Sequence, residues 1–231
     1  MKLEACISTH EEAQAAVLYG FDRVELCSAL SIGGITPSLG LIEKCCSEVK
    51  TETHVMIRPR GGNFVYSDNE IEVMTRDIKL AASAGATGVV LGVLKHDGSF
   101  DREKNKTLSC YAHDLGLETT FHRAIDTCQD PFEALDQLIE LSFARLLTSG
   151  QAVNAAQGIN QIEEFCRRSS DKIQIMAGSG INGFNAPLIK EKGVDALHFS
   201  ITKVMLTDEQ MGGSYEIDHD KIKSILSAID D

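Results

Sequence analysis

Residues 19–27 read YGFDRVELC, and the fold turns on how they are divided. Gly20 stands where the C′ residue of a helix would, free to take the left-handed conformation that ends one. The alternating run that follows, through Glu25 and Cys27, reads as a strand. The same helix-end and strand pairing recurs in AGATGVVLG (84–92), LGLETTFH (115–122), LSFARLLTSG (141–150) and KGVDALHFS (192–200), with Ser142 replacing the glycine in LSFARLLTSG. Working outward, strands are placed near residues 2–7, 22–27, 53–58, 87–92, 117–122, 144–149, 172–177 and 195–200. Helical patterns lie between them, with start signals at Thr9-x-x-Glu12 (a capping box) and at Asp130-Pro131-x-Glu133. Eight βα units in 231 residues predict an α/β chain folded as one TIM-like (β/α)8 barrel domain, ahead of an open doubly wound sheet. YEIDHDKIKSILSAID (215–230) reads as the eighth helix, preceded by a loop near 207–214 expected to be mobile.

A net charge of −12 argues against nucleic acid or an anionic membrane as partner, since neither would meet a basic face. No apolar run has membrane-spanning length. The strand-like KLEACI starts at residue 2 and leaves no secretory signal, so a cytoplasmic location is expected. Seven cysteines in that setting read as reduced thiols, and no C-x-x-C is present.

Successive strand side chains point to opposite faces. Leu3, Ala5, Ile7, Val24, Leu26, Val55 and Ile57 are assigned to the helices. Glu4, Cys6, Glu25, Cys27, His54, Met56, Arg58, Glu118, Thr120, His122, Gln174, Met176, His198 and Ser200 are assigned to the barrel axis. Strands four and six show no clean alternation. Barrel interiors are ordinarily filled by Val, Ile and Leu, and each buried ion costs several kcal/mol unless it is paired. The charges therefore mark either a functional site or a self-satisfied ionic core with Arg58 bridging Glu4 and Glu25.

Position along the strands favours a site. Arg58, His122 and Ser200 end their strands, where barrels of this kind build active sites. In HVMIRPRGGNFVYSD (54–68), Arg58 and Arg60 are followed by Gly61-Gly62, and paired guanidiniums suit carboxylate or phosphate. Gly178 and Gly180 in AGSGI, with Ser149 and Gly150 in LTSGQ, offer further anion-binding backbone on the same rim. Cys6, Cys27 and Met56, on neighbouring strands, form a soft donor set of the kind that selects Cu(I); small thiols and a methionine are equally ordinary core filling. No lysine lies mid-strand, which speaks against Schiff-base chemistry.

The blocks DRVELCSALSIGGITPSLG, VMIRPRGGNFVYSD, TFHRAID, ARLLTSGQ and IMAGSGI resemble the signature segments of the CutC family of copper homeostasis proteins, in order and through about Ser200. The tail MLTDEQMGGSYEID departs from the family's usual ending. The resemblance implies a cytoplasmic (β/α)8 barrel, homodimeric or of higher homo-oligomeric state, associated with Cu(I) and copper tolerance, with no organic cofactor. It carries the family's recurrent positions onto Glu4, Cys6, Glu25, Cys27, Arg58, Arg60, His122, Arg123, Ser149 and Gly150. The residues themselves leave a second reading open: an enzyme on a small anionic metabolite, such as a phosphorylated one. There Arg58 and Arg60 would clamp the anion, Glu4 or Glu25 would act as base, and His122 would shuttle a proton. A third reading, a non-catalytic scaffold, has no feature of its own in the sequence.

Overall fold

The computed structural model describes residues 1–205 and 213–230. Its strands are β1 (Lys2–Ile7), β2 (Arg23–Leu26), β3 (Glu52–Met56), β4 (Gly88–Leu91), β5 (Glu118–Phe121), β6 (Arg145–Thr148), β7 (Gln174–Gly178) and β8 (Ala196–Ser200). They pair in parallel in chain order, and β8 returns to β1, so the sheet closes into a barrel. Around it lie α1 (His10–Leu18), α2 (Leu39–Glu48), α3 (Asp68–Ser83), α4 (Arg102–Asp114), α5 (Pro131–Glu140), α6 (Ile159–Ser169) and α7 (Ala186–Lys190), with α8 (His219–Asp230) completing the ring. Among the described residues no helix is long and apolar enough to cross a membrane.

The recurring helix ends behave as their sequence requires. Gly20, Gly85, Gly116 and Gly193 have φ between 77° and 94°, and Ser142 takes the same left-handed region at 59°. At the start of α1, Thr9 accepts from the Glu12 amide at 3.2 Å. The return arm reaches one residue further back than a capping box would, because the Glu12 carboxylate accepts from the Ser8 amide at 2.7 Å. Asp130 caps α5 by accepting from the Glu133 amide at 3.0 Å, with Pro131 in the first turn.

Packing separates the two faces of the barrel wall. Leu3, Ala5, Ile7, Val24, Leu26, Val55 and Ile57 join one large apolar cluster with the helices, including Ala13, Ile42 and Ile78. Inside, the apolar residues are few and divided: Cys6, Cys27, Met56 and Val90 form one group, and Leu147, Met176 and Ala196 another. The rest of the interior is polar.

One element differs from its expectation. Residues 215–217, read as the start of the last helix, belong with Ser214 to β10 (Ser214–Ile217), which pairs antiparallel with β9 (Thr202–Met205). Glu216 lies opposite Lys203 and pairs with it at 2.9 Å. Asp218 then accepts from the Lys221 amide at 3.0 Å, a capping contact that holds the start of α8 after this hairpin. Residues 206–212, which hold most of the expected loop, lie outside the described residues.

Candidate functional site

A cavity of about 650 Å³ opens at the C-terminal mouth of the barrel. Strand side chains assigned to the axis line it: Cys6, Glu25, Cys27, Met56, Arg58, His122, His198 and Ser200. Phe64, Gly180 and Lys221 reach it from loops and from α8, as do Thr202, Val204 and Tyr215 from the β9–β10 hairpin.

Beneath the cavity is a floor of paired charges. Glu4 and Arg23 are both 0 % exposed and form an ion pair, and Glu52 lies 3.5 Å from Arg23 Nη1. Arg145 bonds Glu118 and, at 3.1 Å, the Gln174 side chain. His54 sits among these charges in the space left by Gly88, where a Cβ would lie 2.6 Å from the imidazole. Burial, with Arg145 and Arg23 nearby, presses the His54 pKa down to about 3 against the pull of Glu4. The ionic core exists, but Arg23 and not Arg58 is its cation. Glu4 is accordingly no free base: it does not line the cavity, and its second oxygen receives His198 Nδ1 at 2.7 Å.

His198 links the floor to a sulfur-bearing pocket. Its Nε2 lies 3.6 Å from the Glu25 carboxylate, and the Cys27 thiol donates to that carboxylate at 3.4 Å. Single ligand atoms of Cys6, Glu25 and Cys27 lie within 4.8 Å of one another, and all three residues are buried. The parallel register explains the convergence, because Cys6 has Glu25 as its neighbour on β2 and Ser200 on β8. Burial pushes the Glu25 pKa up to about 8, against the pull of His198. A hydrogen bond from Cys27 draws Cys6 well below the ordinary thiol range, and His198 assists. Burial disfavours charge on His198, but Glu25, Cys6 and Glu4 around it raise its proton affinity well above the usual imidazole value. Gly34, with φ of 81°, brings its loop onto this pocket so closely that a Cβ would lie 3.2 Å from Cys27 Sγ.

The third part is the wall formed by Arg58, Phe64 and His122. The Arg58 guanidinium donates to the carbonyls of Ile32, Gly34 and Gly62 at 3.0, 2.7 and 2.9 Å and lies 5.0 Å from the Phe64 ring centroid. No carboxylate pairs with it among the described residues. The expected Arg58–Glu4 or Arg58–Glu25 pair is therefore absent there, because the loop carbonyls hold the guanidinium at the rim. His122 packs against Phe64 with ring centroids 4.7 Å apart and the planes tilted by 51°. Its Nδ1 accepts from the Ala124 amide at 3.2 Å. That contact puts the proton of the neutral ring on Nε2, which has no partner among the described residues. Burial, then the Arg58 charge, hold the His122 pKa down near 3, so the ring is a fixed neutral donor and a poor proton shuttle. Gly92 makes room for it: a Cβ there would lie 2.7 Å from His122 Nδ1.

Other expected anion contacts fall elsewhere. Arg60 does not line the cavity: its guanidinium pairs with Glu70 and donates to the Val65 carbonyl at 2.7 Å. Ser149 is buried away from the cavity, accepting from Arg123 Nη2 at 2.8 Å, beside Asp126. Gly150 is required by a backbone crossing, since a Cβ would lie 2.2 Å from the Gly158 carbonyl oxygen. Gly178 packs under Leu147 and His198. Gly180 and Ser200 do line the cavity. Counting strand lysines misses Lys221, which enters from α8 and donates to the Ser200 carbonyl at 2.6 Å.

A closed (β/α)8 barrel with two thiols converging in its mouth defines the class of protein. The CutC family model matches residues 1–203, and the chain belongs to the CutC family. A family protein CutC of Vibrio atlanticus is 41% identical over 99% of this chain and 98% of its own length. One from Glaesserella parasuis is 40% identical over 99% of each. The crystal structure of CutC from Streptococcus agalactiae, described there as a candidate copper homeostasis protein, matches with a TM-score of 0.81 and 33% identity, over 87% of this chain and 98% of that one. The 3-hexulose-6-phosphate synthase of Salmonella typhimurium (TM-score 0.65, 15% identity, 99% of this chain and 98% of that one) shares the fold.

Proposed function

We propose that this protein binds Cu(I) in copper homeostasis, with Cys6 and Cys27 as the ligands and Glu25 beside them. One observation carries the reading: both sulfurs and a Glu25 oxygen fall within 4.8 Å of one another in a buried pocket. Metal–thiolate bonds of about 2.3 Å, as in zinc sites, would set two sulfurs on opposite sides of one ion about 4.6 Å apart, within that span. Thiolates select Cu(I) over harder ions, and the surrounding Met56 and Val90 keep the pocket apolar. An anaerobic Cu(I) competition titration tests it. The Cys6→Ser/Cys27→Ser double variant loses binding, whereas Cys45, Cys46, Cys110 and Cys166 variants retain it. Undiminished binding by the double variant overturns the reading.

A second reading, an enzyme acting on a small anionic metabolite, is favoured by Glu25. Its carboxyl lines the cavity, is pushed up to about 8, and leaves Oε1 without a partner among the described residues. A group poised there suits proton transfer near neutral pH.

A further inference from the structure

We propose that the Arg58–Phe64–His122 wall is a subsite for an oxyanion head group, carboxylate or phosphoryl, of a small organic molecule that fills the mouth cavity. The inference goes beyond Cu(I) binding and holds whether or not the bound molecule is turned over.

Charge is the first argument. Arg58 is 4 % exposed, and a guanidinium that far from water is ordinarily matched by an anion. Arg23 and Arg145 each have a glutamate. Arg58 has neutral neighbours only, three loop carbonyls, the Phe64 ring and the buried Tyr66 hydroxyl, and no carboxylate among the described residues. An anionic ligand supplies the missing charge.

The second argument is the donor on His122. This residue is also 4 % exposed and lines the cavity, and its Nε2–H is left over once Nδ1 has taken the Ala124 amide. A buried donor without an acceptor costs about 1–3 kcal/mol, and an oxyanion is the acceptor that also answers Arg58. Phe64 holds the two in one wall, since it contacts both the guanidinium and the imidazole. Volume is the third argument. The cavity's 650 Å³ falls in the range of small-molecule sites and far exceeds what one ion between two sulfurs requires. The wall's donors are single and neutral or singly charged, which fits one oxyanion group and not a polyphosphate.

The test is calorimetric titration of the metal-free, reduced full chain at constant ionic strength. The probes are inorganic phosphate, glycerol 3-phosphate and pyruvate. Saturable binding of at least one probe is expected, and the comparison of phosphate esters with the carboxylate tells which head group is preferred. Arg58→Lys keeps the charge and loses the guanidinium geometry; it weakens binding about tenfold or more. His122→Asn places its amide oxygen near the Nδ1 position and removes the distal donor; it weakens binding about tenfold. His122→Gln restores a donor near Nε2 and returns affinity to within about threefold of the parent. No saturable binding of any probe overturns the proposal. So does equal affinity in Arg58→Lys, His122→Asn and the parent, an outcome that would leave an anionic ligand elsewhere in the cavity and the enzyme reading intact. Retained Cu(I) binding in both variants separates the subsite from the thiol pair.

Discussion

The floor and the mouth of this barrel are built from the same residue types and end in opposite states. On the floor, Arg23 meets Glu4 and Arg145 meets Glu118, so every guanidinium has its carboxylate. At the mouth, Arg58 has loop carbonyls, the Phe64 ring and the Tyr66 hydroxyl but no carboxylate, and His122 keeps a donor without a partner among the described residues. A buried ion pair contributes little net stability, but removing one partner is costly. The guanidiniums of the floor are thus matched by carboxylates of the chain, although both ring nitrogens of His54 lack a hydrogen-bond partner among the described residues; the guanidinium of the mouth has no carboxylate.

The comparison breaks first at Arg23. Arg23→Met leaves Glu4, which is fully buried, with His198 as its one remaining cationic partner among the described residues, and should destabilise the fold by about 3–5 kcal/mol in chemical denaturation. A loss below about 1 kcal/mol would mean the floor is not the paired network described.

Acid should attack the floor next. The folded-state pKa of His54 lies near 3, below the ~6.5 of an unfolded chain, so between those values the unfolded state binds the extra proton. Its contribution is complete above pH 6.5 and declines as pH falls toward 3, amounting to about 2–3 kcal/mol lost by pH 4.5. The groups that face it are Glu4, Glu52 and Glu118 and the cations Arg145, Arg23 and Lys2, three of each sign, and protonating the carboxylates only deepens the loss. Denaturation midpoints recorded from pH 7.5 to 4.5 should fall less steeply in His54→Leu than in the parent. Parallel curves would contradict the assignment.

Arg58 sharpens the contrast from the other side. Arg58→Met strands no glutamate, and it leaves the carbonyls of Ile32, Gly34 and Gly62 to find water. The expected cost is about 1–3 kcal/mol, smaller than that of Arg23→Met measured under the same conditions. The reverse order would show that Arg58 has a counter-ion in solution.

Much of this was legible from alternation alone. Glu25, Cys27, Met56, His122 and His198 were placed on the axis because each outward neighbour is an apolar residue that the helices cover. What the alternation could not assign was partnership. Arg23 has the same parity as Glu25, yet near the start of its strand it is assigned to neither face, and its burial comes from the pairing with Glu4. Arg145 is hidden by Leu146 and Leu147, since a strand that is apolar on both faces carries no period. Arg58 and Arg60 are two residues apart in one loop, and only the loop's folded path sends one to the cavity and the other to Glu70. Residues 215–217 run directly into the periodic pattern of the last helix, so their antiparallel pairing with β9 is not visible in the sequence.

Gly88 and Gly92 have a consequence for how the site can change. Each occupies the spot opposite an imidazole, and a single methyl group there would collide with His54 or His122 at under 3 Å. The aim of the His122 donor is therefore set by a hollow in the neighbouring strand. A substitution at position 92 would shift the His122 ring and its bond from the Ala124 amide, and so retune what the mouth recognises without altering a charge. Variation in ligand preference among barrels of this design can be sought in such silent positions, where the mould changes and the tool it holds does not.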